Sequence, residues 1–412
     1  MRQRRRRLQV RIYKGGCTMW PGHDRPGRSR RWRLPLILIA AFCFAATAPS
    51  AGQAGGGAVV DGASANPPTP INADVTSLVP TTITLATPTL CGDITVYDQE
   101  DLSTLCSPTT LASTPITLST CPQVVSGSVR LETDITCVNS TALIVGSDNT
   151  VIDLNGHKIS CSGEPGGYFG SCQSTINDDY GVWTNSHNNV HVFSHVPGGT
   201  ITGFDMGVRV ESSQNVKVKQ LTVTGPPGAP GFPRPLTVGV FVVNSSCSQV
   251  RVGGGLATGN DISNVTRGIQ VQDSSCDYVG SNRVHDIRDY RNLAARALGI
   301  SLVRAPNNQV RDNIVTNSGD NEPQDAAIDL RALAAQTTGN LIVGNTADGN
   351  LGNGIAMRQS ASGNDIVNNE MINNTQFDAY SDQSGVNTWN NNNRCHTQTT
   401  PQPPPGVCNP GE

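Results

Sequence analysis

A chain of 412 residues usually makes two or three domains, yet aromatics supply only 5% of this one and charged residues only 15%, beside 43 Gly and 26 Pro; that is poor material for a helix-rich enzyme and good material for strands and turns around an aliphatic core. Residues 1–54 hold 12 of the 29 Lys and Arg and a single acid, Asp24, so the formal charge of -3 conceals a remainder with 17 basic against 31 acidic residues. A remainder that acidic excludes a general basic footprint for nucleic acid or anionic lipid.

The basic block runs into the apolar stretch Leu34 to Ala48 and then into small residues, APSAGQAGGG, the order of a secretory signal. Ser29-Arg30-Arg31-Trp32-Arg33-Leu34 is similar to a twin-arginine export signal, with Arg33 where such signals prefer an aromatic residue. At 15 residues the apolar run falls short of the roughly 20 needed to span a bilayer, and no other stretch is long enough. The expected organisation is an export region over 1–54, a flexible Gly/Ala/Pro/Thr-rich linker over 55–90, a folded body over 91–395 opened by a cap, and a Pro-rich tail over 396–412. The protein is expected to be secreted, periplasmic or at the cell surface, with no membrane span after processing, and to be a monomer.

Ten cysteines remain beyond the leader, and an even count in an exported chain reads as disulfides. From Cys121 onward one pattern recurs at intervals of a few tens of residues. A short strand of the form Gly-(Val/Ile)-x-(Val/Leu/Met) appears at Gly181, Gly207, Gly239, Gly268, Gly299 and Gly354, and as Ala327-Ile-Asp-Leu. A second alternating strand follows, opened by a polar residue, at Asn149, Asn189, Asn215, Gln249, Gln309, Asn340, Asn364 and Asn387. Alternation over four or five residues bounded by Asn and Gly is a strand signal, and Asn at a fixed turn suits the left-handed conformation.

One such unit cannot bury its apolar face alone, so the units must stack through parallel strands. This resembles the right-handed parallel β-helix repeat family, the pectate-lyase-like solenoids, over roughly residues 121–395, and Asp153-Leu-Asn-Gly-His-Lys-Ile159 looks like that family's early-coil segment. The expected fold is an all-β, right-handed parallel β-helix of about nine coils. The resemblance implies no single activity, because lyases, hydrolases, epimerases, maturation factors and adhesins share the architecture. Cys247 and Cys276 fall at matching places in consecutive coils, 29 residues apart; stacked strands about 4.8 Å apart lie within disulfide reach, so this pair is expected to bridge. Proximity in sequence further pairs Cys91 with Cys106, Cys121 with Cys137, Cys161 with Cys172 and Cys395 with Cys408.

In the first strand the aliphatic positions point inward, so two columns point out across the coils. One reads Trp183, Arg209, Phe241, Gln270, Ser301, Asp329, Ala356; its companion reads Asn185, Glu211, Val243, Gln272, Val303, Arg331, Arg358. Insertions at 225–238, 287–298 and 318–326 enter just before this strand and are expected to wall a groove along the columns. The groove is expected to bind a polysaccharide, one containing uronates in the sharpest form of the reading. His285, Asp325, Asp329 and Arg331 are the candidate catalytic groups of a lyase, hydrolase or epimerase, with Arg288, Tyr290, Gln270, Gln272 and Arg358 as candidate substrate-binding groups. The competing class is a non-catalytic cell-envelope or adhesive scaffold. The sequence singles out no definite cofactor; calcium is the candidate, since pectate-lyase-type calcium sites use clustered acids, here Asp178-Asp179 or Asp320, Glu322 and Asp325. His187, His191 and His195 do not form a metal string, because four residues along a strand span about 13 Å; His191 is expected in the outward column with Lys217 and Arg251. So few His and Met argue against the copper handling that periplasmic β-helix maturation factors suggest.

Overall fold

The computed structural model describes residues 8–13, 16–21, 114–116, 121–162, 179–225, 237–254, 258–289, 296–320, 322–333, 337–382, 387–390 and 392–397. Two units divide the chain, Met1–Asp74 and Val75–Glu412. In the first, Leu8–Tyr13 pairs antiparallel with Gly16–Pro21. In the second, three parallel sheets of 10, 11 and 10 strands run from one end to the other, and the described residues contain no helix. The chain visits sheet I, sheet II and sheet III in turn. Each circuit is one coil of a right-handed parallel β-helix with about ten coils.

Sequence explains the stacking. Along sheet I the inward position runs Leu143, Val182, Val208, Val240, Ile269, Ile300, Ile328 and Ile355. Each of these is fully buried, and β-branched side chains pack well on such a pleated surface. The repeat glycine has a packing reason as well. A Cβ on Gly268 would stand 2.4 Å from both Val284 Cγ1 and the Gly299 carbonyl oxygen, and one on Gly299 would stand 2.5 Å from Val315 Cγ1. The repeat departs from glycine at Ala327, and there the sheet III residue that stacks on Val315 is Ala347. The extra methyl on one sheet coincides with the loss of two on the next.

The repeated asparagines divide into two kinds. Asn149, Asn189, Asn215 and Gln249 adopt the expected left-handed backbone, with φ of 60, 56, 51 and 53°. Asn340, Asn364 and Asn387 do not; they are buried in a ladder with Asn308 in which each side-chain oxygen accepts bonds from the coil before. The Asn364 Oδ1 accepts from the Asn340 N–H at 3.0 Å and its Nδ2 at 2.8 Å, and Asn387 does the same for Asn364. A parallel ladder, Asn260, Asn282, Asn313, Asn345, Asn369, Asn393, satisfies a second corner. These side chains take up the backbone carbonyls that a tight buried corner would strand.

Cys121 and Cys137 are bridged as expected, at a Cα separation of 5.6 Å. Cys161 and Cys395 are also disulfide-bonded; their expected partners Cys172 and Cys408, like Cys91 and Cys106, lie outside the described residues. The expected Cys247–Cys276 bridge is absent, and both thiols are free. The side chains are neighbours as the period requires, but they meet through a thiol–thiol hydrogen bond that raises the Cys276 pKa, and Ser275 Oγ lies 3.9 Å from the Cys247 sulfur.

Candidate functional site

Register confirms both outward columns of sheet I. Trp183, Arg209, Phe241, Gln270, Ser301, Asp329, Ala356 and then Tyr380 stack in one, and Glu211, Val243, Gln272, Val303, Arg331 and Arg358 in the other. Asn185 belongs to the following turn, at φ 49°. A third outward column, Met206, Val238, Arg267, Leu298, Ala326 and Asn353, opens each strand. Its apolar members Leu298 and Ala326 join Ala356 in a small buried cluster, with Tyr380 packed against it.

At the N-terminal end of this face one arginine is fully satisfied. Arg209 forks onto Glu211 through Nε and Nη2, both at 3.0 Å, and donates Nη1 to the Tyr180 hydroxyl at 2.7 Å. Trp183 Nε1 donates to the same carboxylate at 3.0 Å, and the guanidinium lies over the rings of Tyr180 and Phe241 at 5.0 and 5.8 Å. The middle carries a hydrogen-bonded chain. Arg267 Nη1 donates to Gln270, Gln270 to Gln272 and Gln272 to Asp273, at 2.7, 2.7 and 3.3 Å, and Arg304 closes on Asp273.

The C-terminal end is different. Asp329 is fully buried and its Oδ2 accepts from Arg331 Nη2 at 2.7 Å. Arg358 Nε stands 2.9 Å from Asp329 Oδ1 but without hydrogen-bonding alignment, so both atoms lack a hydrogen bond. Arg358 also donates to the carbonyls of Pro323 and Asp325 and lies 4.9 Å from the Tyr380 ring centroid. Arg296 closes over the same ground from the preceding loop and bonds Gln324. Its pKa is pushed down to about 10, first by burial, then by Arg331, Arg358 and Arg267, against which Asp329 is a partial offset. Buried charge normally requires matched partners, and here the cations outnumber the carboxylate that faces them.

The structure brings Asp329, Arg331, Arg358, Gln270 and Gln272 onto this face and places the other predicted groups elsewhere. Asp325 is buried in a turn, where its carboxylate accepts from the N–H groups of Ala297, Asp320 and Glu322 at 2.9, 2.6 and 3.3 Å; burial raises its pKa against those bonds. That is the work of a loop staple. His285 lies on sheet III, in register with Ser263 and Thr316, with Nδ1 on Asp286 at 2.6 Å and Nε2 on Asp261 at 2.9 Å. Arg288 donates to the carbonyls of Ile287, Asn317 and Gly319. Tyr290 lies outside the described residues. Sequence reasoning missed Arg267 and Arg296. Arg267 was legible as the residue before each repeat glycine, whereas Arg296 sits in an aperiodic insertion.

The histidines do not converge. His187 pairs with Asp148 and His195 with Asp153. His191 stacks in register with Lys217 and on toward Arg251, as expected, yet it is buried against Phe193 at 4.5 Å. Burial, then Lys219 and Lys217, drive its pKa down to about 3. Among the described residues no three His, Cys, Asp or Glu side chains are grouped to hold a metal ion.

Residues 141–403 match the family model described as periplasmic copper-binding protein, NosD. The chain belongs to the NosD family. That family is periplasmic, in agreement with an exported protein. No curated protein sequence matches. Solved structures similar to the chain include the tailspike protein of E. coli bacteriophage HK620 in complex with a pentasaccharide, 12% identical with a TM-score of 0.37 over 66% of this chain and 55% of that one. A mutant of that tailspike aligns at 12% identity and a TM-score of 0.41 over 71% of this chain and 61% of the other. The NosD-family chain thus spans less than two thirds of the length of those proteins. The described residues do not fit the copper of the family's description. His187, His195 and His285 are each paired with carboxylates and His191 is buried, and Met357 and Met371 are core residues. Met206 and His396 stand apart, the one on a sheet I strand and the other just beyond the last strand of sheet III. Among the described residues the free thiols of Cys247 and Cys276 have no third donor grouped with them.

Proposed function

We propose that this exported β-helix binds a polysaccharide along the outer face of sheet I, with successive sugars lying across successive coils. The observation that supports the reading is the continuity of the outward columns. Aromatic rings, amides and guanidinium groups alternate along one face, at the strand spacing of about 4.8 Å. Aromatic rings give stacking area, and amide and guanidinium groups give directed hydrogen bonds to hydroxyls and carboxylates. A uronate-containing chain is the form that the arginines of this face favour.

Binding is favoured over turnover by the state of the acids. Glycoside hydrolysis needs two carboxylates free to act as acid and base or nucleophile, whereas the Asp325 oxygens accept from backbone N–H groups and Asp329 is held by arginines. The test is affinity electrophoresis of the full chain through gels containing pectate, alginate, hyaluronan, chondroitin or a neutral glucan. Ultraviolet absorbance of unsaturated products and reducing ends are followed in parallel, with and without calcium. Retardation in at least one gel without product is the expected result. Free migration in every gel by a protein with a β-rich circular dichroism spectrum would transfer the reading to an envelope scaffold.

A further inference from the structure

We infer that the C-terminal end of sheet I holds an anion-binding subsite, in which Arg331, Arg358, Arg296 and Ser301 seat one oxyanion substituent of a sugar, a carboxylate or a sulfate. The glycan part of this statement rests on the reading above; the anion part stands on its own geometry.

Charge balance comes first. Arg331 and Arg358 both pair with Asp329, Arg296 feels the charges of Arg331, Arg358 and Arg267 as well as that of Asp329, and the nearby Asp325 turns its oxygens to backbone N–H groups instead. A neutral pairing of the kind seen at Arg209 and Glu211 would need further carboxylates, and the strands supply none. Hydrogen bonding comes second. Arg331 Nε, Arg358 Nε, Arg296 Nη1 and Ser301 Oγ are all buried without a hydrogen-bond partner, although buried polar groups are ordinarily satisfied. Ser301 and Asp329 are neighbours in one column, and Arg331 and Arg358 are neighbours in the next. The unmet donors of Ser301, Arg331 and Arg358 therefore lie in two adjacent columns over consecutive coils, and Arg296 adds one from the preceding loop. Shape comes third, because guanidinium forks match planar or tetrahedral oxyanions and distinguish them from halide. Asp329 is a positioning residue in this arrangement: it fixes the Arg331 fork by one oxygen, and an arriving oxyanion meets the remaining N–H groups.

The experiment titrates the full-length protein with sodium sulfate and with sodium chloride at matched ionic strength, following the thermal midpoint. It then compares oligogalacturonate, its methyl ester and a sulfated galactan oligomer by calorimetry. Sulfate is expected to raise the midpoint where chloride does not. Either oligogalacturonate or the sulfated oligomer is expected to bind at least tenfold tighter than the ester, and the winner names the substituent. Arg296→Gln, a loop change, should abolish the sulfate effect and the tenfold preference, while Arg130→Gln on sheet II should leave both intact. Arg331→Gln should act like Arg296→Gln if it folds, and Arg296→Gln decides the matter if it does not. Equal binding of the charged and esterified oligomers, with sulfate and chloride acting alike, would overturn the subsite and leave the glycan reading standing. A sulfate effect removed by Arg296→Gln, with no oligomer bound, would support the subsite and overturn the glycan reading.

Discussion

The two ends of sheet I present the same outward columns and settle their charges in opposite ways. Near the N-terminal coils, Arg209 meets Glu211, a tyrosine hydroxyl and two aromatic faces, and the patch is complete without a ligand. Near the C-terminal coils, buried arginines crowd one carboxylate and leave donors unmet. A β-helix gives both patches identical backbone registers, so the difference lies wholly in the side chains. It teaches that the scaffold repeats while function is written locally along it.

The largest effect expected from breaking this contrast is at the carboxylates. Asp329→Ala leaves buried guanidinium groups with no opposing charge and should cost about 3–5 kcal/mol, whereas Glu211→Ala, on a partly exposed pair, should cost about 1 kcal/mol. Urea unfolding of both variants measures the difference, and equal losses would erase the distinction between the two ends. Next in size is the corner ladder of the C-terminal coils. Asn345 donates to the Val310 carbonyl and to Asn369 and accepts from Asn313, so Asn345→Ala should cost about 2–3 kcal/mol by leaving buried groups unpaired. Asn189→Gly, at an exposed turn with φ 56°, keeps that φ without strain but loses exposed side-chain bonds to Asn149 and from Asn215, so it should cost about 1 kcal/mol, less than the buried ladder.

The glycine column sharpens the packing account. Gly268→Ala should cost about 1–3 kcal/mol through overpacking, and adding Val284→Ala should recover part of it, as the natural Ala327 and Ala347 combination implies; no recovery in a double-mutant cycle would contradict that compensation. A smaller, pH-dependent effect belongs to His191. Its folded pKa lies near 3, below the ordinary 6.5, so below about pH 6.5 the unfolded chain takes up a proton that the folded protein refuses. Stability is then lost as pH falls through the window from 6.5 toward 3, by up to about 1.4 kcal/mol per unit. His191→Phe should flatten that acid limb relative to wild type in thermal melts across this range. The smallest effect is Arg394→Ala, which breaks an exposed pair with Glu370 and should change stability by less than about 0.5 kcal/mol.

Fold and columns were legible because period and alternation are properties of neighbouring residues. Strand spacing set which side chains stack, and Trp183 through Ala356 fell in register as read from the repeat. The loops were not legible in the same way. Asp325 and His285 have the composition of catalytic groups, yet which oxygen or ring nitrogen is already occupied depends on backbone N–H groups and carboxylates that aperiodic insertions bring in. Arg296 was missed for the same reason. The Cys247–Cys276 expectation shows a different limit: the period brings the sulfurs together, but stacking alone does not form the bond. The scarcity of His and Met argued against copper handling, and the chain nevertheless belongs to a family described by copper. Family membership follows the coil pattern, while a metal site depends on donors that the described coils do not group.

The most direct test of the central claim is hydroxyl-radical footprinting of the full chain, with and without the polysaccharide that retards it in gels. Tyr180, Trp183, Phe241 and Tyr380 report on sheet I, and Tyr278 on sheet II. Protection confined to the sheet I aromatics is the predicted result. Protection of Tyr278 with the sheet I residues unchanged would place the ligand on another face and contradict the account.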